Sequence, residues 1–138
     1  MIANLLFTRS MGLLEKGIDA SSKRNNVLAN NLANVDTPAF KRSEVVFEYE
    51  LQKALQQNGI SGVMTHAKHI PIGRHPVNEI TPEVVLDKST TMRNDGNNVD
   101  IDREMAALAK NTIMFSAMAQ EMNGEFQKLR TAITEGRR

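Results

Sequence analysis

Two stretches of strict seven-residue periodicity, one towards each end of the chain, limit its fold more than any other feature. In the first, Phe7, Met11, Leu14, Ile18, Ser21, Asn25, Leu28, Leu32 and Val35 alternate steps of four and three. In the second, Ile101, Met105, Leu108, Thr112, Phe115, Ala119, Met122, Phe126, Leu129 and Ile133 do the same. Such spacing keeps one seam on a single side of a helix, and over about four heptads it predicts a coiled coil. Each helix would be about 45–50 Å long at roughly 1.5 Å per residue. The matched lengths predict that the two ends of the chain pack on each other.

The expected fold is therefore mainly α. Residues 1–36 and 100–138 form long N- and C-terminal helices in an antiparallel coiled coil, which together make one structural domain. An irregular segment, 37–99, lies between them. Pro38 ends the first helix, because proline lacks a backbone N–H and drives Thr37 away from helical angles. The last helix is announced by the turn formers Asp95, Gly96, Asn97 and Asn98. Asp100 is placed to cap it, and Asp102 and Glu104 put negative charge in its first turn, where the helix dipole favours it. Gly136 is its expected end, with Arg137 and Arg138 beside the negative pole. In the middle segment Ser43 is read as the cap of a short helix, about 44–57, with Phe47, Leu51 and Leu55 on one face. Asn58 and Gly59 close it. Beyond residue 60 the chain is rich in Gly, Pro, Thr and Asn; only PEVVLD, 82–87, suggests a strand, with room for a short β-hairpin.

The seams do not use up the apolar residues. Leu6, Leu13, Ala20 and Val27 recur every seven residues about 100° away from the first seam, and Ile113, Met114 and Ala117 stand clear of the second. Two coverings are open for these stripes. Either the middle segment folds back over them, or neighbouring subunits do. One short amphipathic helix is little to cover two stripes some 40 Å long, so the pattern favours neighbours. Met105, Met114, Met118 and Met122 would give adaptable surfaces in such contacts. The residues assigned to helix packing or subunit contact are Leu6, Leu13, Leu14, Ile18, Val27, Leu28, Leu32 and Val35 in the first helix. In the last they are Ile101, Met105, Leu108, Ile113, Met114, Phe115, Met118, Met122, Phe126, Leu129 and Ile133.

Little in the chain points to chemistry. A formal net charge of +1 gives no footprint for nucleic acid or for an anionic membrane. With no cysteine there is no disulfide framework, thiolate nucleophile or cysteine zinc site. His66, His69 and His75 surround Pro71 without a regular helix to hold them, so no metal is expected. An EF-hand starting at Asp95 fails, with Asp100 where Gly is needed and Ala106 where Glu is needed. Asp100, Asp102 and Glu104 are explained by helix capping. No Gly-rich phosphate loop or Ser nucleophile motif occurs, so no catalytic residue, cofactor or enzymatic activity is expected. No apolar run approaches a membrane span, and MIANLLFTRSMGLL lacks the basic start of a cleaved signal peptide.

One stretch carries a resemblance. ANNLANVDTPAFKR, 29–42, resembles the signature of the bacterial flagellar rod and hook proteins, with Asn30, Asn34, Thr37, Pro38, Phe40 and Lys41 at the matching positions. Ala39 stands where that family usually carries Gly, so the sequence does not itself demand a positive φ there. FEYELQKAL, THAKHI and DGNNVDIDREMAAL are similar to further elements, in the same order, of a short rod protein from the proximal end of the rod. From the last of these come Asp95, Gly96, Asn97, Val99, Asp100 and Asp102 as signature positions. The resemblance implies a structural subunit that assembles helically into a hollow drive shaft, transmitting torque and enclosing the export channel. It implies copies of the chain and other rod proteins as partners, with the rod-base adaptor, export gate or membrane ring nearby. It also implies a place in the periplasmic rod, reached through the flagellar type III channel. The alternatives are a rod protein at another axial position, or a free-standing coiled-coil adaptor.

Overall fold

The computed structural model describes residues 9–56, 80–88 and 94–135. Helix α1 runs Arg9–Ala33, strand β1 Ser43–Val46, helix α2 Glu48–Gln56, strand β2 Glu83–Leu86 and helix α3 Ile101–Glu135. The fold is mainly helical, with a two-stranded antiparallel sheet.

α1 and α3 pack along each other. Gly17 lies against Met118, Asn111 reaches Ser21 and Asn25, Asn31 meets Glu104, and Asn97 meets Asn34 and Val35. Partner numbers fall as positions on α1 rise, so the pair is antiparallel, as the matched periodicities predict. Its seam is rotated from the expected one. On α3 the most buried positions are Glu104 and Asn111, each 2% exposed, whereas Met105 is 48% exposed and Thr112 is also exposed. Leu108, Phe115, Ala119, Met122 and Leu129 are half-buried, which keeps half of the predicted seam. The reason is polar pairing: Glu104 and Asn111 have partners on α1 that no apolar residue could satisfy, and these turn the helix by one residue. On α1 likewise Ser21, Leu28 and Asn31 are buried, and Leu32 is half-buried.

The first helix stops short of the expected end, with residues 34–36 in turns. Residues 43–46 also depart from expectation. Instead of opening a helix at 44, Ser43 begins a strand, and α2 starts only at Glu48, where Phe47 supplies the first carbonyl to Leu51 at 3.0 Å. The β-branched pair Val45 and Val46 suits a strand, and β2 offers the matching partner, so a distant pairing overrides the local helical pattern. The register sets Ser43 opposite Leu86, Glu44 opposite Val85, Val45 opposite Val84 and Val46 opposite Glu83. The strand read in PEVVLD is present, but it joins a remote segment rather than a local hairpin.

A small core forms where β1 crosses α1. Ala20, Val45, Phe47 and Ile80 are buried together, with Val27 and Leu51 packed against them. The second stripe of α1 is thus covered at Ala20 and Val27 by the chain's own middle segment, contrary to the preference for neighbours. Among the described residues nothing covers the outward stripe of α3: Ile113 is 71% exposed, and Met114 is exposed as well. Leu6, Phe7, the three histidines, the THAKHI element, Asn58, Gly59 and the end at Gly136 lie outside the described residues.

Candidate functional site: the junction of the terminal helices

The residues singled out by the motifs converge where α1 ends and α3 begins. α1 ends in a turn built from its own amides. Asn34 donates its backbone N–H to the carbonyls of Asn30 and Asn31 at 3.2 Å, and its side chain donates to Asn30 at 2.8 Å. Thr37 Oγ1 meets Asn34 Oδ1 at 3.2 Å, and the Thr37 N–H donates to the Asn34 carbonyl at 3.1 Å. Pro38 then turns the chain outward, exposed. Ala39 has φ 60°, the left-handed region that favours glycine, and its N–H donates to the Asp95 carbonyl at 2.9 Å. Ala39 adopts this conformation without being glycine, held by the loop facing it.

That loop supplies the closure. Asn97 is fully buried, and its amide nitrogen donates to the carbonyls of Asn34, Val35 and Thr37 at 2.9–3.0 Å. These carbonyls lie just past the helix, where no further turn of helix supplies a donor. Two hydrogens serve three acceptors, so at least one is shared. On the other side, Asn97 Oδ1 accepts from the Val99 N–H at 2.7 Å, and its own N–H donates to Asp95 Oδ1 at 3.1 Å. Gly96 sits at φ 83° beside Ala39, making the paired turn possible. Asp100 Oδ1 then accepts from the N–H groups of Asp102 and Arg103, at 3.0 and 3.3 Å, and caps α3.

Beneath this lies a charged knot. Glu104, 2% exposed, accepts from Asn31 Nδ2 at 2.9 Å and from Arg42 Nε at 3.1 Å. Asn31 also grips β1, donating to the Ser43 carbonyl at 2.8 Å and accepting from its N–H at 2.9 Å. Arg42 Nη1 reaches Glu44 and Asp87 at 3.2 and 3.3 Å. Burial works against the Arg42 charge, but the attraction and hydrogen bond of Glu104, with Glu44 and Asp87 behind, outweigh it and raise its pKa above the ordinary arginine value. Asn98 bridges both strands, accepting from the Arg42 N–H at 2.7 Å and donating to the Asp87 carbonyl at 2.8 Å. Elements from four parts of the chain are locked in one arrangement. What the geometry supplies is stiffness: these polar groups bond to one another across the four segments.

Comparison with known proteins follows from this stretch. Residues 14–41, which span most of α1 and the whole turn, match the family described as "Flagella basal body rod protein". The chain is 37% identical over 127 residues to the flagellar basal body rod protein FlgB of Borreliella burgdorferi, an alignment covering 89% of this chain and 94% of that protein. It is 32% identical over 132 residues to FlgB of Bacillus subtilis, with 96% and 98% covered. FlgB of Aquifex aeolicus is 32% identical over 125 residues, with 91% and 93% covered. The chain belongs to the FlgB family of flagellar basal body rod proteins.

In this FlgB-family chain the junction gathers most of the signature positions: Asn30, Asn34, Thr37, Asp95, Gly96, Asn97 and Asp100 are tied into the turn and caps. Val99 is 4% exposed beside them, Phe40 and Lys41 are half-buried, and Pro38 and Asp102 are exposed. Several residues that do most of the binding are not signature positions, and the sequence marks Asn98 only as a turn former. Asn31, Arg42 and Asn98 lie next to signature positions, and Glu104 was read only as a charge for the helix dipole. A signal existed for part of this: Glu104 and Asn111 are polar residues seven apart, in step with Leu108 and Phe115, and so mark a second line along the true seam. Of the packing candidates, Leu28 is buried, while Ile101, Met105, Ile113, Met114, Phe126 and Ile133 are exposed. Leu13, Leu14, Ile18, Val27, Leu32, Val35 and Met118 are half-buried. Among the described residues no group of three or more His, Cys, Asp or Glu is placed to hold a metal ion.

Proposed function

We propose that this chain is a structural subunit of the proximal rod, whose α3 takes neighbouring rod subunits on an exposed apolar stripe beside its seam. One observation carries this reading: α3 keeps an apolar stripe in water along one side of its seam. It turns Glu104 and Asn111 towards α1 and leaves Ile101, Met105, Phe126 and Ile133 in water, the last two 55% and 65% exposed. At roughly 100° per residue these four fall within about 80° of one another, a single stripe along the helix. A lone two-helix hairpin gains nothing from such a stripe, whereas an assembly buries it. Heterologous contacts that do not close on themselves then build a tube rather than a ring, and a stiff junction carries torque along it.

The partners in this reading are copies of the chain, other rod proteins, and the rod-base adaptor, export gate or membrane ring at the base. The subunit reaches them through the flagellar type III channel and acts without catalysis. No described helix is long and apolar enough to cross a membrane.

The test is the double substitution Phe126→Asp, Ile133→Asp. Both side chains are solvated in the free chain, so its unfolding midpoint should hold within the few tenths of a kcal/mol usual for surface changes. Cells carrying only this variant should make basal bodies without a rod and be non-motile. Rods of normal length and yield would overturn the reading.

A further inference from the structure

The two edges of the small sheet are treated in opposite ways. Along the outer edge of β1 the backbone is closed. Asn31 binds both the N–H and the carbonyl of Ser43, and Arg24, itself paired with Glu48 at 2.7 Å, donates to the Val45 carbonyl at 3.3 Å. These bonds also fix the phase of the ladder. Because Ser43 and Val45 point away from β2, their opposite residues Leu86 and Val84 must point away from β1. The Asp87 N–H donating to the Arg42 carbonyl at 2.9 Å fits the same alternation. The N–H and carbonyl groups of Val84 and Leu86 therefore line the free edge, and no described residue takes them. At the near end the edge stops at Pro82, which has no N–H and whose carbonyl is taken by Lys23 at 2.7 Å.

Edge strands are commonly protected by charge, a bulge or a short length. This one carries Val84, Val85 and Leu86 in succession, 42%, 43% and 54% exposed, without a charge among them. A two-stranded sheet is marginal alone and gains most from a third strand. Beside it lies a shallow depression of about 560 Å³, lined by Val46, Val85, Leu86 and Asp87 among others, wide enough for a partner's apolar side chain.

Charge chooses the occupant. Glu83, Val85 and Asp87 alternate onto the face that β1 shares through Glu44 and Val46. That face carries three carboxylates; Arg42 bridges Glu44 and Asp87, and Lys88 lines the far end of the depression, which leaves carboxylates in excess. A second copy adding its own β2 about Val85 would set Glu83 against Asp87 twice, an unfavourable cross-strand pair. We propose that the open edge of β2 is a docking strand for an extended segment of another protein, apolar at its centre and flanked by lysine or arginine. Its backbone would pair with Val84 and Leu86, and its cations would lie beside Glu83 and Asp87. This surface is separate from the α3 stripe, so the proposal stands or falls apart from the rod assignment.

The experiment uses the full chain and the blocked peptide Lys-Val-Val-Thr-Lys as probe. Its companions are Glu-Val-Val-Thr-Glu and the lysine peptide N-methylated at its second and fourth residues. The lysine peptide should slow amide hydrogen exchange at Val84 and Leu86. It should bind at least about five-fold more tightly than the glutamate peptide at low salt. N-methylation should abolish binding, as should Val84→Pro, which removes an outward N–H and leaves the ladder residues Glu83 and Val85 unchanged. Equal binding of the two charged peptides, or binding of neither, overturns the proposal. So does slow exchange at Val84 and Leu86 before any peptide is added. If that protection persists in a monomer the chain covers its own edge; if it disappears on dilution the occupant is a second copy.

Discussion

Glu104 and Asn111 lie one heptad apart on the inward face of α3, both 2% exposed, and the chain treats them differently. Glu104 meets groups from two segments, Asn31 on α1 and Arg42 at the start of β1. Asn111 meets α1 alone: its Nδ2 donates to the Ser21 carbonyl at 2.8 Å and to Asn25 Oδ1 at 2.7 Å, and its Oδ1 finds no protein partner. The contrast follows from geometry. At the junction a turn, two strands and a loop crowd against the helix pair and bring donors from outside it. One heptad further along, two helices face each other and supply only what their own surfaces carry. A buried polar residue is stabilising where several elements converge and close to neutral where two do. The register of the coiled coil is therefore expected to be fixed most firmly at the junction.

The largest effect should come from breaking the charged knot while leaving its shape. Arg42→Met keeps much of the side-chain volume but strands the Glu104 carboxylate, and removing one partner of a buried pair costs about 3–5 kcal/mol. Urea unfolding would measure it. Adding Glu104→Gln should recover part of the loss, since a neutral amide needs less compensation. The arginine side contributes no pH dependence near neutrality: its raised pKa keeps its stabilising effect complete below the ordinary arginine value, to be lost only as pH rises through the folded value. The cost of Arg42→Met should thus be the same at about pH 6 and pH 8. If it falls below about 1 kcal/mol, the junction is no stiffer than the mid-coil crossing.

The other side of the comparison is Asn111→Leu. This removes an unsatisfied acceptor and adds apolar contact, but leaves the Ser21 carbonyl and Asn25 without their donor. The terms oppose one another, and the net change should lie within about 1 kcal/mol of zero. A loss as large as that of Arg42→Met would mean that a water completes the Asn111 site and makes the two crossings equivalent. Ala39→Gly acts at the junction in the stabilising direction. At φ 60° alanine carries a penalty that glycine avoids, set against the extra freedom of glycine when unfolded, so a gain of about 0.5–1 kcal/mol is expected. A loss instead would show that the Asp95 contact does not hold this turn.

Much of this architecture can be read from the residues, and the parts that cannot share a cause. The two helices, the Asp100 cap and the strand in PEVVLD each depend on neighbours within a few positions, whereas α1 ends at Ala33, ahead of the stop expected at Pro38. The rotation of the seam depends on Arg42 and Asn31 waiting for Glu104 across 62 and 73 residues. The strand at 43–46 depends on a partner beyond α2, and its own residues fit an amphipathic helix equally well. Within the candidate site, proximity picked out the turn and its caps but not the side chains that join them. Asn97 looked like a turn former because its spacing says so; that its amide closes the end of α1 is a tertiary fact. The covering of Ala20 and Val27 was missed for the same reason, since Val45, Phe47 and Ile80 come together only in three dimensions.

The smallest effect belongs to the next position along the coil, where neither charge nor amide is involved. A Cβ added at Gly17 would stand 2.6 Å from Met118 Sδ, so the methionine must move. Gly17→Ala also gains about 1 kcal/mol of helix propensity in the interior of α1. The obstacle is a thioether on a flexible side chain rather than backbone, so displacing it should cost a similar amount and leave the net change near zero. The two terms separate in a Met118→Ala background, which removes the obstacle. There Gly17→Ala should show its full propensity gain, detectable as a rise in the urea midpoint. If the substitution is neutral in both backgrounds, the close approach at Gly17 does not constrain the coil. If it is strongly destabilising in the native background alone, the helices are as rigid here as at Glu104, and the gradient from a fixed junction to a looser coil is lost.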